Sequence, residues 1–322
     1  MILLNVLSCG SNTFLFNMKT NKTIQRREFL SRALLVPGLI TISSASSHCN
    51  PKPETNLTTG ALTVQSIIDL IIKDIPGAPF DKTVDTLKSG VASQVVTGIV
   101  TTMFATIDVI KKAIELKANF IIAHEPTFYN HLDDTGWLQN SDVYAYKMNL
   151  LKENGIAVWR FHDYIHMLRP DGVLTGVLER LGWQSYYNSK NPGLIEMKEM
   201  SLGDIANLAK EKLGIKQVRV IGPANHVCKR IGVLPGAAGG RSQIGFLKTE
   251  KPDVLIVGEV SEWETAEYVR DARAMGQHTA LIVLGHSQSE EPGMEWMVPW
   301  LEPKVPGIKI SHIASNNPFT FA

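Results

Sequence analysis

The sequence predicts an α/β protein in which a mostly parallel or mixed sheet is covered by helices, with an inserted middle α/β domain. Two observations predict this class. Short, uninterrupted apolar segments alternate with longer segments whose apolar residues recur at helical spacing, and the connections between them are short. This alternation is typical of strand–helix–strand units, because parallel strands are buried on both faces.

The first half of the chain shows the alternation most clearly. Apolar residues at helical spacing predict helices over residues 64–75, 106–116 and 142–154. Short, mostly apolar runs predict strands over residues 94–100, 119–123 and 157–161. The second and third of these strands run directly into histidines, His124 and His162.

The second half repeats the same order of elements. Strands are predicted over residues 218–221, 230–234, 253–257, 279–284 and 308–313, and helices from about 241, over 262–275 and over 294–301. Glycines at 236–240 predict a tight turn between strand and helix, because a phosphate-binding P-loop would end in Gly-Lys-Ser/Thr.

A polar, turn-rich segment divides the chain between these halves. It covers residues 185–200, and it predicts a domain boundary. We expect residues 62–184 together with 253–322 to form one domain, and residues 185–252 to form the inserted middle domain.

The N-terminus has the pattern of an export signal over residues 1–47. Residues 23–30 closely match a twin-arginine signal around Arg26 and Arg27, and a short apolar run with small residues follows. An amphipathic N-terminal helix is the alternative. Residues 48–61 are predicted to be a linker. We expect an exported protein, and two forms stay open: a cleaved periplasmic protein, or a membrane-anchored lipoprotein with its lipid anchor at Cys49.

The composition is that of a soluble globular protein. Apolar residues make up 44% of the 322 positions and charged residues 20%, and the formal net charge is +1. A balanced charge gives no electrostatic basis for binding a polyanion, so we expect no nucleic acid as partner.

Histidines and glutamates follow three of the predicted strands. His124-Glu125 follows one strand, His162 and His166 follow the next along the chain, and His286 with Glu290 follows the strand at 279–284. Ligands of open α/β sheets bind beyond the carboxyl ends of the strands. Because imidazole and carboxylate are ligands of zinc, manganese and iron, this pattern indicates a metal site.

Each of these pairs also has a purely structural interpretation. Glu125 and Glu290 could stabilise helix N-termini, and His162 with His166 could be a surface pair one helical turn apart. Spacing alone leaves both interpretations open.

Four motifs resemble those of one known family. They are Ile-Ile-Ala-His-Glu-Pro at 121–126, Phe-His at 161–162 through His166, Gly-Glu-Val-Ser-Glu at 258–262, and Gly-His at 285–286 with Glu290. Together they resemble the NGG-one-interacting-factor-three-like proteins, dinuclear metal-binding proteins also called type 2 GTP cyclohydrolases. Asn-Pro-Phe at 317–319 is similar to the end of the family's sequences.

The resemblance implies a site for two divalent metal ions, with zinc, manganese or iron as candidates. The implied ligands are His124, Glu125, His166, His286 and Glu290. The family usually has histidine at the position of Glu125 and aspartate, often the bridging ligand, at the position of His166. One imidazole and one carboxylate have therefore exchanged places, and we expect the bridge to move to Glu125 or Glu290. A single-metal site is the alternative.

The implied activity is hydrolysis of a small-molecule substrate by a metal-bound hydroxide, with Glu259 as general base or substrate contact. A structural role for Glu259 at the start of a helix is the alternative. His162 is expected to orient a ligand or contact the substrate, or else to have a structural role. A non-catalytic metal-binding or scaffold protein is the alternative function. The resemblance also implies a ring-like homo-oligomer. Export and a role for GTP conflict, because an exported protein would meet little GTP.

Overall fold

The computed structural model describes residues 61–322. The predicted export signal and Cys49 lie outside the described residues, as does nearly all of the predicted linker, so these stay predictions. Within residues 61–322, no helix has both the length and the apolar character needed to cross a membrane.

The N-terminal half forms a five-stranded mixed sheet in the order β1-β4-β3-β2-β10. Strands β2, β3, β4 and β10 pair in parallel, and β1 is antiparallel to β4 at the edge. The strands are β1 (Leu87–Ser89), β2 (Ile99–Thr102), β3 (Phe120–Ala123), β4 (Ala157–Arg160) and β10 (Ile310–His312). The last strand of the chain thus returns to pair with β2.

A second five-stranded mixed sheet has the order β5-β7-β8-β9-β6. Its three central strands, β7, β8 and β9, are parallel, whereas β5 and β6 are antiparallel edges. The strands are β5 (Leu194–Ser201), β6 (Arg219–Ile221), β7 (Val227–Leu234), β8 (Val254–Val257) and β9 (Ala280–Val283).

Nine α-helices connect and cover the strands of the described range. They are α1 (Val64–Ile72), α2 (Ile107–Glu115), α3 (Asp142–Glu153), α4 (Asp163–Met167), α5 (Gly172–Leu181), α6 (Leu202–Leu213), α7 (Gly240–Glu250), α8 (Glu267–Ala274) and α9 (His286–Leu301). Helices α5 and α9 pack backbone to backbone. A Cβ added at Gly176 would lie 2.3 Å from the carbonyl oxygen of Pro292, so only glycine allows this approach.

Alternate residues of each strand face different cores, which explains the uninterrupted apolar runs. In β3, Phe120 and Ile122 face a large core shared by both sheets and by helices α5 and α9, whereas Ile121 faces a smaller core beneath α2 and α3. In β8, Ile256 faces the shared core and Leu255 the core on the other side of the second sheet. Both sheets are therefore buried on both faces.

The predicted α/β class with mixed sheets covered by helices is confirmed. Two local predictions were wrong: residues 94–98 of the strand predicted over 94–100 lie before β2, and part of the polar, turn-rich segment 185–200 is the edge strand β5. Its alternate residues are polar because they are exposed. The predicted boundary after residue 252 also does not follow the sheets, since β8 and β9 pair within the second sheet. The division into domains stays a prediction.

Candidate metal centre

The carboxyl ends of strands from both sheets converge on one cluster of histidines and glutamates. His124 and Glu125 follow β3, His162 follows β4, and His166 lies on α4. From the second sheet, β9 leads into α9, whose first residue is His286 and whose next turn carries Glu290. One contact between residues of the two sheets is the 3.1 Å distance between His286 Nε2 and Glu125 Oε1.

Three histidines form the first part of the cluster, named here the imidazole group: His124, His162 and His166. One ring nitrogen of each lies within 4.8 Å of the others. The ring of His124 stacks on that of His162 at 4.8 Å between centroids, and the His166 ring lies edge-on to both at 5.2 Å.

Oxygen acceptors hold the Nδ1 atom of each member of the imidazole group. The acceptors are the Phe161 carbonyl at 3.1 Å for His124, Asp163 at 3.0 Å for His162, and Asp171 at 2.9 Å for His166. Carbonyl and carboxylate oxygens only accept, so the network assigns the proton to Nδ1 and leaves the Nε2 lone pairs free. In this tautomer, the Nε2 atom of each ring carries the lone pair that would bind a metal ion.

The Nε2 atom of His124 is buried without a hydrogen bond. His124 is 0% exposed, and its Nε2 has no hydrogen-bond partner among the described residues. Its nearest oppositely charged group is Glu290 Oε2 at 3.4 Å, which is an ion-pair distance and not a well-aligned hydrogen bond. A buried lone pair of this kind is costly unless a ligand such as a metal ion occupies it.

The second part of the cluster, named here the carboxylate group, consists of Glu125, His286 and Glu290. His286 Nε2 lies 3.1 Å from Glu125 Oε1 and 3.0 Å from Glu290 Oε2. Both glutamates are buried, at 7% and 4% exposure. Two buried carboxylates this close to one imidazole require positive charge, from a proton or from a metal ion.

Arg160 holds the base of the site from within β4. Its guanidinium is fully buried and donates to the carbonyls of His124 and His131 and to Glu125 Oε2, the last at 3.3 Å. Glu125 therefore keeps only Oε1 turned toward His286. Arg160 also lies 3.6 Å from the buried carboxylate of Asp133, which Lys88 Nζ contacts at 3.1 Å.

Asp85 positions the turn that carries two histidines. Its carboxylate accepts backbone N–H groups of His162, Asp163 and Tyr164 at 2.7 to 3.0 Å. These are the free amides at the start of α4, so Asp85 caps that helix from a distant part of the chain. His162 and His166 owe their positions to this cap.

A family comparison bears on this geometry. A model of the Duf34/NIF3 (NGG1p interacting factor 3) family matches residues 63–318, most of the chain. The chain belongs to this family. The resemblance predicted from the sequence motifs is thereby confirmed.

Individual NIF3 relatives and structures agree with the assignment. The GTP cyclohydrolase 1 type 2 homolog of Clostridium perfringens is 28% identical over 207 residues, covering 61% of this chain and 74% of that protein. A hypothetical protein from Staphylococcus aureus has a TM-score of 0.65 at 19% identity, covering 82% of this chain and 100% of that one. A Bacillus cereus protein related to NIF3 has a TM-score of 0.64 at 17% identity, with 81% and 99% covered. The two structures share the fold.

Electrostatics act in different directions on three donors of this NIF3-family chain. Burial, together with the nearby charge of His124, lowers the pKa of His162 to about 4, so its imidazole is neutral at pH 7. Burial would raise the pKa of Glu290, but His124 and His286 lower it on balance. Burial would lower the pKa of His286, yet hydrogen bonds to Glu125 and Glu290 raise it to about 10. Without a metal ion, a proton on His286 neutralises these carboxylates.

Glycines bring the backbone of the second sheet against the carboxylate group. Gly236, at the turn after β7, has φ +68°, and a Cβ there would lie 2.0 Å from Glu290 Oε1. A Cβ at Gly258 would lie 2.4 Å from Ser289 Oγ. In the glycine run at 236–240, Gly236 makes room for Glu290, and α7 begins at the end of the run.

A cavity of about 1500 Å³ opens above the cluster. Its wall includes Glu125, His162, His166, Glu259, His286 and Glu290 on one side and Lys147 with the C-terminal residues 313–318 on another. Glu259 is more than half exposed, and its Oε2 lies 3.3 Å from His286 Nδ1. The predicted general base thus lies at the cavity wall in contact with His286.

The structure brings together all five residues predicted as ligands, and it adds others that the sequence analysis missed. His162, expected only to orient a ligand or contact the substrate, lies among the donors themselves. Asp85 and Asp171 gave no signal, because their partners are recognisable only in three dimensions. Arg160 did give a signal in the sequence, because it is a charged residue within an apolar strand between two histidine-bearing segments. The metal-binding role of each residue stays a prediction.

Proposed function

We propose that this NIF3-family protein binds two divalent metal ions between its imidazole and carboxylate groups and hydrolyses a small molecule there. The observation that carries the proposal is the buried Nε2 atom of His124. It has no hydrogen-bond partner among residues 61–322, and Glu290 lies 3.4 Å away. A metal ion would satisfy both atoms.

The residues present fit such ions in type and number. Three histidines and two glutamates place nitrogen and oxygen donors within a few ångströms of one another. The Phe161 carbonyl holds Nδ1 of His124 and the Asp171 carboxylate holds Nδ1 of His166, so the Nε2 atoms are directed by these contacts. When bound, divalent ions supply Lewis-acid polarisation of a substrate and a water nucleophile of lowered pKa.

The surrounding residues supply the remaining requirements for hydrolysis. The cavity is large enough for a small molecule, since ligand pockets commonly measure about 300–1,000 Å³. Glu259 lies at the cavity wall, more than half exposed and in contact with His286. An exposed carboxylate at this place can accept a proton from a nucleophile or return it to a leaving group.

The printed names of the curated relatives support GTP as one substrate to test. Several are called GTP cyclohydrolase 1 type 2 homologs. The predicted export signal favours a substrate found outside the cytoplasm instead. A screen should therefore combine GTP with cyclic nucleotides, phosphoesters and amides.

The proposal is tested by metal content and activity together. Protein with and without the export signal should be purified, and metal per chain measured by mass spectrometry before and after chelation. We expect two ions per chain, activity that is lost on chelation, and recovery on adding metal. The variant His124→Ala should lose metal and activity. The matched control His278→Ala alters an exposed histidine on the opposite edge of the second sheet and should keep both.

Two outcomes would separate catalysis from metal storage. Two bound ions with no hydrolysis of any compound in the screen would favour the non-catalytic metal-binding alternative. Activity that persists at full strength after chelation would refute the metal-dependent hydrolase.

A further inference from the structure

We propose that the metal centre is asymmetric, with a zinc-preferring site in the imidazole group and a manganese- or magnesium-preferring site in the carboxylate group. His162 is then a metal ligand. The inference rests on the proposed metal centre and deepens it, because it assigns each ion a chemically different set of donors.

The geometry separates the donors by element. The imidazole group consists of three histidines whose ring nitrogens lie within 4.8 Å of one another. The carboxylate group places two oxygens at 3.0 and 3.1 Å from a single imidazole nitrogen. His124 also lies within reach of Glu125 and Glu290, with its Nε2 3.4 Å from Glu290 Oε2, so one end of the centre is rich in nitrogen, the other is rich in oxygen, and His124 lies between them.

Each carboxylate presents one oxygen to the centre, and that oxygen lies between the two groups. Glu125 gives Oε2 to Arg160, so Oε1 remains, at 3.1 Å from His286 and 3.8 Å from His162. Glu290 Oε1 lies against Gly236, and its Oε2 lies 3.0 Å from His286 and 3.4 Å from His124. The two carboxylates are thus placed to connect the imidazole group with His286.

Ligand chemistry turns this separation into metal preference. Three neutral imidazoles are a known ligand set of zinc, with the fourth position left open. Carboxylate and water oxygens suit manganese and magnesium, which bind imidazole-only sites poorly compared with zinc. The nitrogen and oxygen donors lie at different ends of the centre because position 166 is a histidine and position 125 is a glutamate. If these two residues were exchanged, each end would contain both imidazole and carboxylate donors.

His162 has the features of a ligand and not only of a structural histidine. Its Nδ1 is held by Asp163 and its ring is stacked on His124, which directs Nε2 toward Glu125. His131 offers a matched comparison. Its ring lies 5.6 Å from that of His162 and lines the same cavity, but it does not belong to the imidazole group.

The test is a mixed-metal titration of the full chain. Metal-free protein receives zinc in excess over both sites and manganese in larger excess, unbound metal is removed, and both metals are counted by mass spectrometry; a centre without asymmetry would bind two zinc ions. We expect one zinc and one manganese per chain, with the manganese visible by electron paramagnetic resonance. His162→Ala should weaken zinc binding at least about tenfold while manganese is retained, whereas His131→Ala should bind both like the wild type.

The outcomes distinguish this inference from the proposed function. Two ions per chain without discrimination between zinc and manganese would overturn the asymmetry and leave the metal centre intact. Unchanged zinc affinity in His162→Ala would overturn its assignment as a ligand. A wild-type chain that binds neither metal would refute the proposed function itself. The wild-type titration needs no variant, so it decides the asymmetry even if His162→Ala does not fold.

Discussion

The substitution Gly236→Ala tests whether the approach of the backbone to Glu290 builds the metal site. An ideal Cβ at this position would lie 2.0 Å from Glu290 Oε1 and 2.4 Å from its Cδ. Since real atoms do not approach so closely, the carboxylate must move. It would then lose its 3.0 Å contact with His286 and its 3.4 Å contact with His124.

Gly239→Ala is the matched control within the same glycine run. Gly239 has φ +78°, close to the φ +68° of Gly236, but no heavy atom of the described residues lies within 4 Å of its Cβ position. Both variants therefore place alanine in left-handed backbone, at a cost of about 1–2 kcal/mol. The difference between them isolates the displacement of Glu290.

The size of the expected metal-induced rise in Tm follows from the linkage between metal binding and stability. At a metal concentration 100 times the dissociation constant, binding stabilises the native state by about 2.7 kcal/mol. For a domain of this size that corresponds to roughly 5–10 °C in Tm. A loss of about 100-fold in affinity in Gly236→Ala would remove nearly all of this increase, whereas Gly239→Ala should keep it.

Thermal unfolding with and without metal, together with metal counts per chain, measures the effect. The metal-induced rise in Tm is the quantity to compare, because the backbone cost cancels within each variant. An equal rise in Gly236→Ala and Gly239→Ala would refute the reasoning that Glu290 contributes to metal binding from its observed position.

Three further predictions concern residues around the site. Arg160→Met should reduce the free energy of unfolding by about 3–5 kcal/mol in urea, because it removes a fully buried cation from beside the buried carboxylates of Glu125 and Asp133. Asp85→Asn should weaken metal binding at least about tenfold, measured by titration. The two carboxylate oxygens of Asp85 accept three backbone N–H groups, whereas the amide that replaces the carboxylate has only one acceptor oxygen. Burial lowers the pKa of Lys147 from 10.5 to about 8, so its charge destabilises the native state below pH 8 and this cost disappears as the pH rises. The free energy of unfolding of the wild type, relative to Lys147→Met, should therefore rise by about 3 kcal/mol between pH 7 and 10.5.

Each of these predictions has a control or a contradicting result. Arg219→Met removes an exposed ion pair with Glu262 and should cost less than about 1 kcal/mol; an equal loss in both arginine variants would contradict the buried-charge argument. Asp81→Asn alters an exposed carboxylate and should leave metal affinity unchanged. For Lys147, a stability difference that is independent of pH would show that its ammonium group is not desolvated.

Local sequence patterns predicted the elements that end at the site. Strands such as Phe120–Ala123 are buried on both faces, so their apolar runs are visible in the sequence and the histidines after them are conspicuous. His286 and Glu290 lie four residues apart, and helical periodicity alone places them on one face, where they are 3.0 Å apart. The edge strand Leu194–Ser201 escaped prediction, because its exposed polar residues interrupt the apolar pattern.

The sequence by itself therefore determined the α/β class and the family, and it predicted candidate metal ligands. Only the tertiary structure decided which ligands lie together, because the contact of Glu125 with His286 joins two sheets across 161 positions of the chain. The same holds for the support given by Asp85, Arg160 and Gly236. Their effects depend on long-range packing, and local periodicity carries no information about that packing. The separation of imidazoles from carboxylates became visible only when β3, β4 and β9 were brought to one place.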